Sequence, residues 1–321
     1  MDTEQTKNKS ISVIIPVCNE QENILPLYDE LINTFDTRAN LEFDILFVDD
    51  GSNDDSWTII RDLRKNDNRV TGIRLSRNFG HQMALLAGYD FAGGDLIVTL
   101  DADLQDPPEL IGEMINKSNE GFDIVYAARS NRVKDSFLKR FTAKAFYKLM
   151  AILGVEVIPN HAEFRLITKR VLKHFLSFRE RNLFIRATIP LIGYRHYVLS
   201  YERSGRKLGK SKYSMFRMLE FALNGLTSFS ILPLRLCSLF GVSFSVLALV
   251  LLAWNLLAKI LGITLLGWIP TIAAIYFIGG VQLFFLGIVG EYIGRIYLEV
   301  KERPRYIIDE IINNDQEKRI F

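Results

Sequence analysis

The chain has only two cysteines in 321 residues, Cys18 and Cys237, far apart and in different surroundings. That excludes a disulfide-stapled scaffold and fits a reducing compartment. An excess of either charge is also missing. Lys and Arg number 39 against 37 Asp and Glu, and the net +2 offers no global field for a nucleic-acid partner. The first ten residues, Met1 to Ser10, are polar and lack the apolar core of a signal peptide. No internal repeat and no low-complexity tract is visible. What the chain does have is apolar residues, 49% of the total, gathered unevenly into the last third. Its positive charges also gather, between Lys134 and Lys148 and between Arg203 and Arg217.

Two runs contain no charged residue, Leu236 to Ala258 and Ile260 to Gly290. A bilayer core takes about 20 apolar residues per helix, so each run is long enough to cross. These runs predict transmembrane helices over 236–258 and 266–290. Pro270 and the Gly279-Gly280 pair predict that the second is kinked or starts late, near Trp268. A short turn around Lys259 to Leu266 makes the two a hairpin, with both flanks on one side. Arg217 and Arg235 precede it, and Arg295, Lys301, Arg303 and Arg305 follow it. The positive-inside bias then puts both termini in the cytoplasm, in a multi-pass membrane protein.

Ahead of the hairpin, strands and helices alternate. Ile11–Pro16, Phe43–Val48, Val70–Leu75, Leu96–Leu100 and Ile124–Ala127 read as strands. Ile24, Leu27, Tyr28, Leu31, Ile32 and Phe35 form the stripe of a helix. Such alternation predicts an α/β domain, a mostly parallel sheet with flanking helices. The expected organisation is a polar tail over 1–10, the α/β domain over 11–212, an amphipathic juxtamembrane segment over 213–235, the two spans, and a C-terminal tail over 291–321. Phe137–Met150 and Tyr213–Leu219 mix aromatic and basic residues at helical spacing, which suits helices lying at a lipid interface.

Three strand ends are acidic. Pro16-Val17-Cys18-Asn19-Glu20 follows the first strand, Asp49-Asp50-Gly51-Ser52 the second, and Asp101-Ala102-Asp103-Leu104-Gln105 a later one. In a parallel sheet these ends share one edge and form a single cleft. Two carboxylates at i and i+2 with an amide at i+4 suit a hard divalent cation. An isolated Asp-x-Asp is usually a solvated turn; three acidic ends on one edge are not.

This trio resembles the inverting GT-A glycosyltransferases of the dolichyl-phosphate mannose synthase-like family, which have a Rossmann-like fold. The likeness extends to Arg129 after the fifth strand, to Glu163-Phe164-Arg165-Leu166, and to Arg206-Lys207-Leu208-Gly209-Lys210-Ser211-Lys212-Tyr213. Gly290-Glu291-Tyr292-Ile293-Gly294-Arg295-Ile296-Tyr297 and Arg303-Pro304-Arg305-Tyr306 resemble the end of bacterial polyprenyl-phosphate glucosyltransferases with a two-helix anchor. The resemblance covers about residues 10 to 310.

It implies metal-dependent, inverting transfer of one hexose to polyprenyl phosphate at the cytoplasmic face of the bacterial inner membrane. The implied donor is UDP-glucose; GDP-mannose, UDP-N-acetylhexosamine and an aminoarabinose nucleotide are alternatives. Asp101, Asp103 and Gln105 would hold Mg2+ or Mn2+. Pro16, Cys18, Glu20, Asp50 and Ala102 would contact the donor, and Arg206, Ser211 and Lys212 would close over its diphosphate. Arg129 and Arg132 are implied for the acceptor phosphate, and Asp101, Asp103 and Glu163 for catalysis. Membrane lipid is an implied partner, and the family points to a homo-oligomer, dimer or tetramer. Two residues depart from the family pattern: Glu163 replaces the usual Asp, and Cys18 the usual Tyr. His81 reads as a satisfied structural histidine. A processive polysaccharide synthase would carry Gln-x-x-Arg-Trp, and none of Trp57, Trp254 and Trp268 follows an Arg. A non-catalytic membrane scaffold remains as a reading from another class.

Overall fold

Ile11–Val17 is apolar on both faces, the mark of a strand covered by helices on either side. It forms β1 at the centre of the sheet. The structure, a computed structural model, describes residues 9–36, 41–129, 161–180, 185–201, 232–261, 268–313 and 318–319. β1 pairs in parallel with β2 (Phe43–Asp49) on one side and β4 (Leu96–Thr99) on the other, and β3 (Val70–Leu75) lies beyond β2. The connections carry α1 (Ile24–Asp36), α2 (Ser56–Asn66) and α3 (His81–Phe91). The chain runs outward through β2 and β3, then returns to the far side of β1. This topological switch point sets the carboxyl ends of β4, β1 and β2 side by side.

The flanks of the sheet differ from its parallel centre. β6 (His161–Thr168) pairs antiparallel with β4, β5 (Ile124–Arg129) antiparallel with β6, and β7 (His196–Tyr201) parallel with β5. The order is β7-β5-β6-β4-β1-β2-β3-β8-β9, where β8 is Ile308–Ile312 and β9 is Lys318–Arg319.

Alternate side chains of the strands feed two apolar layers. Ile11, Val13, Ile15 and Val17 face α1, α2 and α4 (Ile111–Asn119). Ile14 lies on the opposite face with α3, α5 (Lys169–Phe175) and α6 (Ile185–Leu191). The α3–β1 approach is close enough that a Cβ on Gly88 would come within 2.2 Å of Ile14 Cγ2. Only glycine lets that helix lie so near the strand.

The segment expected to be a C-terminal tail does not behave as one. Residues 291–300 continue a helix, and Ile308–Ile312 joins the sheet as β8, antiparallel to β3. An open edge of β3 would leave unpaired backbone groups, which this strand satisfies. Glu310 accepts from Trp57 Nε1 at 3.2 Å and from Arg61 Nη2 at 2.9 and 3.0 Å, while Ile311 and Ile312 are buried. Tyr306 donates to Asp90, and Arg305 to the Phe178 carbonyl. Deleting residues 303–321 is therefore expected to destabilise the sheet unit by about 3–6 kcal/mol, the burial of two isoleucines alone. Melting of the truncated chain at the wild-type temperature would refute this.

The chain after β7 enters a second compact unit, spanning 213–302. Its described helices are α7 (Leu232–Ile260) and α8 (Trp268–Val300). Both are long and apolar enough to cross a membrane, with windows Leu234–Leu251 and Ala274–Val300, and neither window is buried in protein. They touch through Phe240–Phe285 and Phe244–Phe277 ring pairs. α8 begins at Trp268, so Pro270 falls in the first turn, where a missing N–H costs nothing. It also runs ten residues past the expected end at Gly290. The first charge, Glu291, ends the apolar run but not the helix, because it pairs with Arg295 one turn on, at 3.1 Å. The amphipathic stretches over 137–150 and 213–219 lie outside the described residues.

Candidate active site

The carboxyl ends of β1, β2 and β4 open into one cleft of about 330 Å³, lined by Pro16, Cys18, Glu20, Asp50, Asp101, Ala102 and Asp103. The loop after β3 adds Asn78, Gly80 and His81. Of the expected site residues, these seven come together. Gln105 is buried behind them, its backbone N–H donating to Asp103 Oδ1 at 3.3 Å. Arg129 ends β5. Arg132, Arg206, Ser211 and Lys212 lie outside the described residues.

Backbone strain marks the turn of Asp101–Gln105. Leu104 has φ 54°, a left-handed conformation that a bulky side chain seldom adopts. Strain of this kind is kept where surrounding structure enforces a useful geometry. At the end of β2, Gly51 has φ 66°, and a Cβ there would sit 2.5 Å from the Arg77 carbonyl carbon. That close approach seats the 77–80 loop against Asp50, whose carboxylate accepts from the N–H groups of Phe79 at 2.7 Å and Gly80 at 2.9 Å. Burial raises the Asp50 pKa, and these two bonds oppose the rise. Asp50 thus shapes the cleft wall as well as facing it. Cys18 is half-buried and receives the Asn78 side-chain amide at 3.2 Å. Burial, then the Asp50 charge, pushes its thiol pKa up.

Asp101 carries the most perturbed acid of the cleft. Burial, with smaller contributions from Glu163, Asp106 and Asp103, raises it to about 6, against the opposing charge of His81. Of these four acids, Asp101 and Asp103 line the cleft, while Glu163 and Asp106 have partners of their own. Among the described residues, no group of three His, Cys, Asp or Glu could hold a metal ion alone. Two aspartates nevertheless suit Mg2+ or Mn2+, which are commonly held by one or two carboxylates together with phosphate oxygens and water.

His81 is both hydrogen-bonded and placed at the cleft. Its Nε2 lies 3.0 Å from Asp101 Oδ1 at the cleft, with the side chain 43% exposed. Glu163 is not a free carboxylate. It is 2% exposed on β6 and accepts from Gln82 at 3.2 Å, from Arg186 Nε at 2.5 Å and from Arg165. Despite burial, Arg165 and Arg186 hold its pKa down to about 2. A carboxylate so strongly held ionised makes a poor proton acceptor at neutral pH. Asn78, Gln82 and Arg186 escaped the sequence reading because nothing local to them signals a partner.

Residues 12–176 match the model of glycosyl transferase family 2, half of the chain. The chain belongs to glycosyl transferase family 2. Residues 232–296 match a second model, the GtrB C-terminal hairpin. An uncharacterized glycosyltransferase of Bacillus subtilis, YkoT, is 42% identical over 313 residues, 95% of this chain and 93% of that one. The bactoprenol glucosyl transferase of Shigella phage SfII is 40% identical over 300 residues, 93% of this chain and 97% of that one. The mannosyltransferase PcManGT of Pyrobaculum calidifontis, solved with GDP-Man and Mn2+, aligns with TM-score 0.47 and 17% identity over 67% of this chain and 61% of that one. This protein is a glycosyltransferase, and α7 and α8 associate it with a membrane.

Proposed function

We propose that this glycosyltransferase moves one glucose from UDP-glucose to a polyprenyl phosphate, with inversion, at the cytoplasmic face of a bacterial cell membrane. The observation that carries this reading is the cleft at the switch point, where Asp101 and Asp103 share a wall with Cys18 and Asp50. The relatives named bactoprenol glucosyl transferases support the lipid acceptor and the glucose. Asp101 and Asp103, with Gln105 close by, would hold Mg2+ or Mn2+, which offsets the charge of the departing diphosphate. Pro16, Cys18, Glu20, Asp50 and Ala102 would line the nucleotide, with Arg206, Ser211 and Lys212 drawn in from sequence. A phosphate acceptor is already anionic, so positioning and charge stabilisation replace base catalysis. That is consistent with a Glu163 that stays ionised and paired.

Two observations favour a hairpin with both ends in the cytoplasm. The basic residues flank it rather than sit in its turn. Chain from before and after it, β3 and β8, also pairs in one sheet. The reading extends to a catalytic domain over 11–212 and a self-associated state, dimer or tetramer, that covers lipid-facing helix surface. Thermal shift with a donor panel and Mn2+ tests the donor. UDP-glucose is expected to give the largest rise, because ligand that binds only folded protein stabilises it by mass action. A larger rise with GDP-mannose, UDP-N-acetylhexosamine or an aminoarabinose nucleotide would reassign the donor.

A further inference from the structure

Arg186, in the first turn of α6, is held from one side only. Its Nε donates to Glu163 Oε1 at 2.5 Å, while the side chain stays 38% exposed. It has no other hydrogen bond or ion pair among the described residues. Around Glu163 one carboxylate meets two guanidinium groups. Arg165 is 1% exposed and bonds Glu163 from within the core. Arg186 is the one of the two arginines that reaches solvent.

The position of this arginine is defined by a short chain of contacts. Gln82, which bonds Glu163, follows His81, which bonds Asp101. Glu163 also acts on Asp101 through its charge. Arg186 thus stands one carboxylate away from the acids of the cleft, yet it is not among the residues lining that cleft. With Nε occupied, the two Nη groups, which bond none of the described residues, form the outer edge of a planar fork, which matches two oxygens of a phosphate. A guanidinium aimed by a buried acid loses little freedom on binding.

Resting on the polyprenyl-phosphate reading, we propose that Arg186 binds the phosphate of the acceptor lipid and that Glu163 is the positioning residue that aims it. The donor diphosphate offers the same oxyanion chemistry. The acceptor is favoured because Arg186 lies outside the nucleotide cleft, on the side where β6 and α6 meet.

The test uses the full chain in detergent micelles with Mn2+, with farnesyl phosphate as a short polyprenyl phosphate. Calorimetry gives the Kd of farnesyl phosphate and, separately, of UDP; steady-state transfer gives both KM values. Arg186→Ala is expected to weaken farnesyl phosphate binding and raise its KM about tenfold or more, the order of one charge-assisted hydrogen bond. The UDP Kd should stay within about twofold, and Arg186→Lys should fall between wild type and alanine because it keeps the charge but loses the fork. Unchanged farnesyl phosphate affinity in Arg186→Ala overturns the proposal. So does a UDP Kd that weakens in parallel, which would assign Arg186 to the donor diphosphate. Should the alanine variant fail to melt cooperatively, Arg186→Gln, which retains a donor toward Glu163 without the charge, is read by the same criteria. Wild-type protein that transfers sugar to water or another acceptor but never to a polyprenyl phosphate overturns the functional reading, and this assignment with it.

Discussion

Asp103→Ala is expected to lower sugar transfer by about a thousandfold, the scale on which preorganised charge stabilisation acts in a closed site. Asp103 lines the cleft, and its charge is one of those that push Asp101 up toward about 6. Removing it takes away one of the two carboxylates proposed to hold the metal and relieves repulsion on the other. The metal-free fold should consequently be as stable as wild type, or slightly more so, while UDP affinity in Mn2+ falls. Labelled UDP-glucose and polyprenyl phosphate measure the first effect, and melting without metal the second. Activity above a tenth of wild type would remove Asp103 from the metal site. A scaffold protein would lose no function with this change, so the same variant separates the enzymatic reading from the non-catalytic one.

Glu163→Ala is expected to destabilise the sheet unit by about 3–5 kcal/mol, the usual cost of stranding a buried charge. The stranded group is Arg165, which is 1% exposed and whose Nη1 has no partner among the described residues. Arg186 would lose less, because water reaches it. The pH dependence has a defined sign. Glu163 sits near 2 in the folded protein, below its ordinary 4.5, because two guanidinium groups favour the ionised form. Its contribution is complete above about pH 4.5 and is lost as pH falls through about 2. Acid unfolding of wild type should therefore be steeper between these values than that of Glu163→Gln. Identical acid profiles would mean that the pairing adds no net stability. Because this side chain supports the fold, lost activity in Glu163 variants does not identify a base.

The two interactions differ in how visible they are in the sequence. Asp101-Ala102-Asp103 follows an apolar strand, and a parallel sheet places such strand ends on one edge by topology alone. The same holds for Pro16–Glu20 and Asp49–Ser52, so the cleft could be assembled without coordinates. Glu163 appears in the sequence only as a motif residue. That it is saturated depends on Arg186, which reaches it from a helix 23 positions further on. The partner of His81 is hidden for the same reason, since Asp101 lies 20 positions away. Partners of this kind are chosen by tertiary packing, and no local period encodes them.

The strands divide likewise. β1 to β5 alternate with helices or run as unbroken apolar segments, so they announce themselves. Ile308-Asp309-Glu310-Ile311-Ile312, with two adjacent acids at its centre, is too charged to do so. It is a strand because β3 offers an open edge and because Trp57 and Arg61 meet Glu310. The sequence by itself determined an α/β domain with three acidic strand ends and two helices long enough to cross a bilayer, because each rests on composition and local periodicity. Only the tertiary structure decided which acids line the cleft, which one is locked between arginines, and that the chain returns after α8 to complete the sheet. Those outcomes depend on burial and on contacts between residues distant in the chain.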